Sequence, residues 1–226
     1  MDTYSISKVN RLFWLGRYSE RVLTMAKIMM KNYDTMIDGG GIGYQKIVSA
    51  MRIDDHYGSE QVFVSRFLFD PTDSGGVAES VQRMLDNAMV LRETITSPTL
   101  AYVQMAQTAM ETAAASSSPC VNLQWVIDDM NAFRGSCEDS IGDSNLRNTL
   151  KTGVSVERLS LYLRLDYRLE DLRMEARRLL SRINRTHLPR NEEFFAVLMQ
   201  TAYGTQTSEA PIDSSLIYYV EGLCEV

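Results

Sequence analysis

Apolar residues recur every three or four positions along most of the chain. From Ser7 to about Ile37 the stripe reads Val9, Phe13, Gly16, Glu20, Leu23 and Ala26, the spacing of one helical face. Ser7 is placed to cap this helix. Asp38-Gly39-Gly40-Gly41 is placed to end it, because glycine accepts the left-handed conformation that follows a helix. The run Gly39 to Gly43 resembles a phosphate-cradling loop only superficially. It follows a helix rather than a strand and lacks the Gly-Lys-Ser/Thr ending.

The pattern predicts further helices over Tyr44–Ile53 and Ser59–Leu68, although Gln61-Val62-Phe63-Val64 also has strand propensity. A turn at Phe69-Asp70-Pro71-Thr72-Asp73-Ser74-Gly75-Gly76 follows, and Asp73 or Ser74 can cap a helix from Gly75 to Ile95. Pro98 and Pro119 then mark two helix starts, since proline tolerates the first helical position. Those helices should reach Ala115 and Ser140. Beyond a break at Gly142-Asp143-Ser144, residues Asn145–Ile183 read as helix throughout. The alternation of Leu159, Leu161, Leu163 and Leu165 dissolves there into the helical series Leu165, Leu169, Leu172, Ala176, Leu179 and Ile183. Asn191 can cap a helix from Glu192 to Tyr203. Thr205 to Pro211 is a polar loop, and Asp213 or Ser214 can cap a last short helix. No strand alternation persists elsewhere. The expectation is an all-α fold, a single domain over residues 1–226 built as an antiparallel helical bundle.

One residue conflicts with this pattern. Glu20 lies on the apolar stripe, where desolvating an unpaired carboxylate costs several kcal/mol. Gly16-x-x-x-Glu20-Arg21 recurs as Gly153-x-x-x-Glu157-Arg158. The glycine one turn before each glutamate allows another backbone, or a ligand, to approach closely. Two long antiparallel helices carrying this repeat could meet about a pseudo-twofold axis, with Glu20 facing Arg158 and Glu157 facing Arg21. The cluster then either fixes helix register or forms a ligand or catalytic site.

Composition narrows the function classes. The 226 residues carry a formal net charge of −6, which argues against a general nucleic-acid binder. Residues 151–190 hold ten Lys/Arg against five Asp/Glu, leaving −11 on the remainder. Such a basic helix can guide an anionic ligand or dock an acidic partner, or it is a solvated helix laced with local ion pairs. Three widely spaced cysteines, Cys120, Cys137 and Cys224, make no metal motif and read as core thiols. Without a signal peptide or a long apolar run, a soluble cytoplasmic protein is expected, with no membrane partner. His56, after Asp54-Asp55, reads as a loop or helix-end residue, and His187 as one near a helix C-terminus.

Leu12-Phe13-Trp14-Leu15-Gly16-Arg17-Tyr18-Ser19-Glu20-Arg21 resembles the signature of the alpha-E family, named for its Glu-Arg motif. Asp70-Pro71-Thr72-Asp73-Ser74 resembles that family's Asp-Pro-Asn-Pro-Ser turn, with departures after Pro71. Asp86 to Glu93 resembles its Asn-Ala-Arg-x-x-Arg-Glu helix, with Met89 where an arginine is usual. Gly153 to Arg158 resembles the second Glu-Arg copy. The resemblance implies a bacterial all-helical protein associated with ATP-grasp-type ligases in systems that make or modify peptides by amide-bond formation. On that reading Glu20 and Glu157 are the candidate catalytic residues. Arg17, Arg21, Arg92, Arg158, Trp14 and Asp70 are the candidates for holding a carboxylate- or phosphate-bearing peptide or small molecule. No metal is implied. ATP is expected on the partner ligase rather than here. The alternative is a non-catalytic helical partner or scaffold that positions the ligase or its peptide substrate. The sequence is compatible with a homo-oligomer.

Overall fold

A computed structural model describes residues 5–37, 43–204 and 215–226. Among them the chain is all-helical, with eleven α-helices and one π-helical turn. Their one extended pairing is a bridge between Arg190 and Cys224. The glycine run after the first helix and the proposed Thr205–Pro211 loop lie outside the described residues. So do the caps proposed at Asp213 and Ser214.

The described residues form two compact units. One takes residues 1–17 and 142–226, the other residues 18–141. Helix α1 (Ile6–Ile37) contributes residues to both. Its start is set by Ser5, whose Oγ accepts the Lys8 N–H at 3.2 Å. Ser5 rather than Ser7 is therefore the cap, because the helix begins at Ile6, two residues earlier than a Ser7 cap would place it.

The second unit holds α2 (Tyr44–Met51), α3 (Glu60–Phe63), α4 (Val77–Val90), α5 (Arg92–Ile95), α6 (Ser97–Ala114) and α7 (Pro119–Ser140). Ser59 caps α3, accepting the Val62 N–H at 3.3 Å. The expected 59–68 helix widens after one turn into the π-helical segment Val64–Leu68. This brings Phe67 and Leu68 to zero exposure, with Phe67 stacked on Phe63. The expected 75–95 helix breaks at Leu91, giving α4 and α5. Its N-cap is Gly76, not Asp73 or Ser74. The Asp73 carboxylate instead accepts the Tyr57 hydroxyl at 3.3 Å. Helices α6 and α7 pack on each other; α6 begins at Ser97, one residue before Pro98, and α7 at Pro119. Buried Thr99 joins them, with its Oγ1 2.6 Å from Ser136 Oγ.

The first unit is built on α8 (Ser144–Arg164), α9 (Leu169–Ile183), α10 (Glu192–Tyr203) and α11 (Leu216–Glu221), with the start of α1. Asp143 caps α8 through the Leu146 N–H, and Asn191 caps α10 through the Phe194 N–H. The helix expected over 145–183 is two helices. Asp166 takes a left-handed conformation, with φ of 54°, and reverses the chain. The Tyr162 and Tyr167 rings stack across that turn, 4.1 Å apart. The reversal lets α9 fold back on α8, which explains the leucine alternation. Leu159, Leu161 and Leu163 are all buried because α8 is covered on nearly every side. The core contains Phe13, Val156, Leu159, Leu179, Leu198 and Val220. Fully burying such a side chain contributes about 1.5–3 kcal/mol.

The α1–α8 crossing depends on two glycines. A Cβ on Gly16 would collide with the Leu150 carbonyl, and one on Gly153 would collide with the Phe13 carbonyl. Each glycine faces the other helix's backbone, so neither neighbour can move aside as a side-chain tip would. Gly16→Ala and Gly153→Ala should each lower stability by about 3 kcal/mol, the upper end of ordinary overpacking. The double variant should cost less than the sum, since both open the same crossing. Gly135 sits in α7 with nothing near its Cβ position. Gly135→Ala should therefore raise stability by about 0.5–1 kcal/mol. Urea unfolding measures all four.

Candidate functional site

Neighbouring residues on a helix point about 100° apart, so the acid and base of each Glu-Arg pair meet different partners. In the first unit Glu157 is 2% exposed and accepts the Arg17 Nε at 2.8 Å. The next residue, Arg158, sends its Nη1 to within 3.5 Å of Glu175 Oε2. In the second unit Glu20, also 2% exposed, accepts the Thr24 hydroxyl at 2.7 Å and the Arg134 guanidinium. The charge of Arg21 acts on Glu79. Both glutamates are thus buried as their place on apolar stripes requires, and both carry a guanidinium.

Arg17 is itself buried, and its guanidinium lies 4.8 Å from the centre of the Trp14 ring. Half-buried Trp14 also packs edge-on against Phe13. Beyond Arg17, Glu221 accepts the Ser160 hydroxyl at 2.6 Å and the Arg164 Nη2 at 2.7 Å. Burial alone would raise the Glu221 carboxyl. The hydrogen bonds from Ser160 and Arg164 and the charges of Arg164 and Arg17 outweigh it, holding the group below its ordinary value.

Among the described residues of this unit Glu175 is the most enclosed carboxylate, with no exposed surface. Ser155 Oγ donates to it at 2.9 Å and Arg178 Nη1 at 3.1 Å. Arg182 Nη1 lies 4.0 Å from Oε1 and donates to the Lys151 carbonyl at 3.2 Å. Elsewhere on α9, Arg177 and Arg173 donate to the Ala202 and Gly204 carbonyls at the end of α10. Basic side chains suit that position because the last helical carbonyls are unpaired and carry partial negative charge. The basic surplus of residues 151–190 is therefore largely engaged within the unit, by backbone carbonyls and carboxylates of neighbouring helices more than by local ion pairs on one solvated helix.

In the second unit Glu79 accepts the Gly75 N–H at 2.8 Å and two Arg83 contacts at 2.7 and 2.9 Å. Burial would raise the Glu79 carboxyl, but these bonds and the charges of Arg83 and Arg21 hold it low. Asp70 Oδ1 accepts both the backbone N–H and the hydroxyl of Thr72, and those bonds keep its carboxyl low. Its role here is to fasten the Asp-Pro turn. Arg92 is exposed on α5. Among the described contacts neither Asp70 nor Arg92 touches the Glu20 pair.

A family model described as a predicted alpha-helical domain with a conserved ER motif, Alpha-E, matches residues 7–200. The chain belongs to the Alpha-E family. None of the curated proteins and none of the solved structures compared with it matches. In this Alpha-E chain the Glu-Arg motif is a set of buried salt bridges.

The sequence reading did not single out Arg134, Glu175 or Glu221. A signal existed for the first two. Glu175 falls on the stripe Leu172, Ala176, Leu179, and Arg134 on the stripe Met130, Phe133, Cys137. Glu221 has no comparable signal, because α11 is too short to define a stripe. Among the described residues no group of three or more His, Cys, Asp or Glu could hold a metal, and no helix is long and apolar enough to cross a membrane. His187 is exposed, and its backbone N–H donates to Asn145. His56 has its Nε2 3.4 Å from Asp73. Burial pushes the Cys137 and Cys224 thiols up to about 12, so both are inert near neutral pH.

Replacing Glu175 by Gln should lower stability by about 3–5 kcal/mol, because several arginines lose a buried counter-charge. Exposed Glu170→Gln should be near neutral, and thermal unfolding separates the two. Glu221 adds a pH dependence. Its folded pKa is depressed, so its stabilisation is fully present above the ordinary value of 4.5 and is lost as pH falls through the folded value. Urea midpoints of Glu221→Gln should therefore fall less steeply than those of the parent between about pH 6 and about pH 3.

Proposed function

We propose that this chain is a non-catalytic helical component of a bacterial peptide or amino-acid modification system, which binds and positions an ATP-grasp-type ligase or its peptide substrate. In this reading the two Gly-x-x-x-Glu-Arg copies are repeats of one structural device that locks helices in register. The observation that supports it is the state of the carboxylates. Glu20, Glu157 and Glu175 are each no more than 2% exposed and each meets at least one arginine within its own unit. A general acid or base must reach its substrate within about 3 Å. A guanidinium that binds a substrate carboxylate must also offer its fork to it. Arg17 is held by Glu157 and covered by Trp14, which favours a structural role over substrate capture. The ligase partnership rests on what the family resemblance implies, and ATP is assigned to that partner.

Glu20→Gln tests this reading. The side chain keeps its size and can still accept the Thr24 hydroxyl, but Arg134 loses its counter-charge. Stability should fall by about 3–5 kcal/mol, roughly 10 °C in melting temperature for a chain of this size. Product formation with an ATP-grasp-type ligase from the same genome, per folded molecule, should stay at the parent level. A variant that melts like the parent yet forms no product would reverse the assignment and make Glu20 a catalytic or substrate-binding group. Failure of the parent chain to bind or stimulate the ligase would remove the partnership itself.

A further inference from the structure

The second unit contains a cavity of about 660 Å³ that the Glu-Arg centres do not explain. Its volume lies in the range of small-molecule sites, roughly 300–1,000 Å³. Helix α1 lines it with Met29, and the 64–69 segment adds Val64 and Phe69. These give it an apolar body. Part of its wall is the π-helical turn Val64–Leu68, a local geometry that recurs at functional sites because it displaces side chains from the regular helical ladder.

Among the described residues the lining has a single formal charge, Glu60, and no lysine or arginine. Among the described residues no hydrogen-bond donor or cation partners the Glu60 carboxylate. Its field reaches the Cys120 thiol, which lines the same cavity. This contrasts with Glu20 and Glu79, two carboxylates of the same unit that hold arginines. A partly buried carboxylate beside an apolar wall is complementary to a molecule with an apolar body and a positively charged end. We propose that this cavity is a binding site for a small amphiphilic amine, its apolar chain against Met29, Val64 and Phe69 and its ammonium group on Glu60. The site is independent of the ligase-positioning reading above.

Calorimetric titration of the full chain with n-octylamine, 1-octanol and octanoate tests the site. At neutral pH these are a cation, a neutral molecule and an anion with the same apolar chain. Octylammonium should saturate a single site and bind about tenfold more tightly than octanol, with octanoate weaker still. Glu60→Gln should bring octylammonium to the octanol level while leaving octanol unchanged. Ala114→Phe places a ring at the exposed rim of the cavity and should abolish binding of all three. Thermal melts confirm that both variants fold, and Ser65→Trp, also at an exposed lining position, replaces the rim variant if it does not. No saturable binding of octylammonium to the parent chain overturns the proposal. So does octanoate binding as tight as octylammonium, or octylammonium binding unaffected by Glu60→Gln.

Discussion

A carboxylate on the apolar face of a helix can be tolerated only if a cation is delivered to it. That constraint governs the molecule at Glu20, Glu157 and Glu175. Each lies where the helical period demands a core residue, and each is buried there with an arginine. Such a pair is not a cheap source of stability, since desolvating both ions offsets most of their attraction. Its physical effect is selectivity. A helix shifted by one residue rotates its glutamate about 100° and strands a guanidinium without its counter-charge. An alternative packing therefore costs far more than a slipped leucine would.

The glycines extend this logic to the backbone. Gly16 and Gly153 each precede a motif glutamate by one turn, and each lies against the other helix's carbonyls. Close approach of α1 and α8 lets the Arg17 side chain reach Glu157 without extending through solvent. In α8 the Gly-x-x-x-Glu spacing is thus one unit of recognition. Gly153 sets the distance to α1, and Glu157 one turn later fixes the rotation through Arg17. Neither function survives if the spacing changes, because a three- or four-residue step is what keeps both groups on the same face.

Much of this fold can be read along the chain, because stripe, cap and breaker signals are local. The proline starts of α6 and α7, the Asn191 cap and the all-helical class follow from residues within a turn of one another. Where the sequence misleads, a tertiary contact overrides a local preference. Asp166 carries no strong break signal, yet the chain reverses there because α8 needs α9 to cover it. Asp73 is a good capping residue, but Tyr57, sixteen positions away, takes its carboxylate. The same limit applies to the site. Burial of Glu20 and Glu157 is visible in the period. The identity of Arg134 as a partner, 114 positions away, is not, because nothing local distinguishes it from other arginines beside an apolar stripe.

The adjacency of Glu and Arg in the motif has a further consequence. Because neighbouring helical residues diverge, the pair is not a local ion pair. Each motif sends its acid to one contact and its base to another: Glu157 to Arg17 with Arg158 to Glu175, and Glu20 to Arg134 with Arg21 in the field of Glu79. Two consecutive residues thereby tie one helix to two distinct neighbours. Adjacency thus has a packing consequence of its own, because it joins one helix to two neighbours at once. A catalytic dyad would set the opposite requirement, since acid and base must converge on one reacting group within hydrogen-bond reach. The divergence of the two side chains is the geometric feature that supports the proposed helix-organising role of the motif.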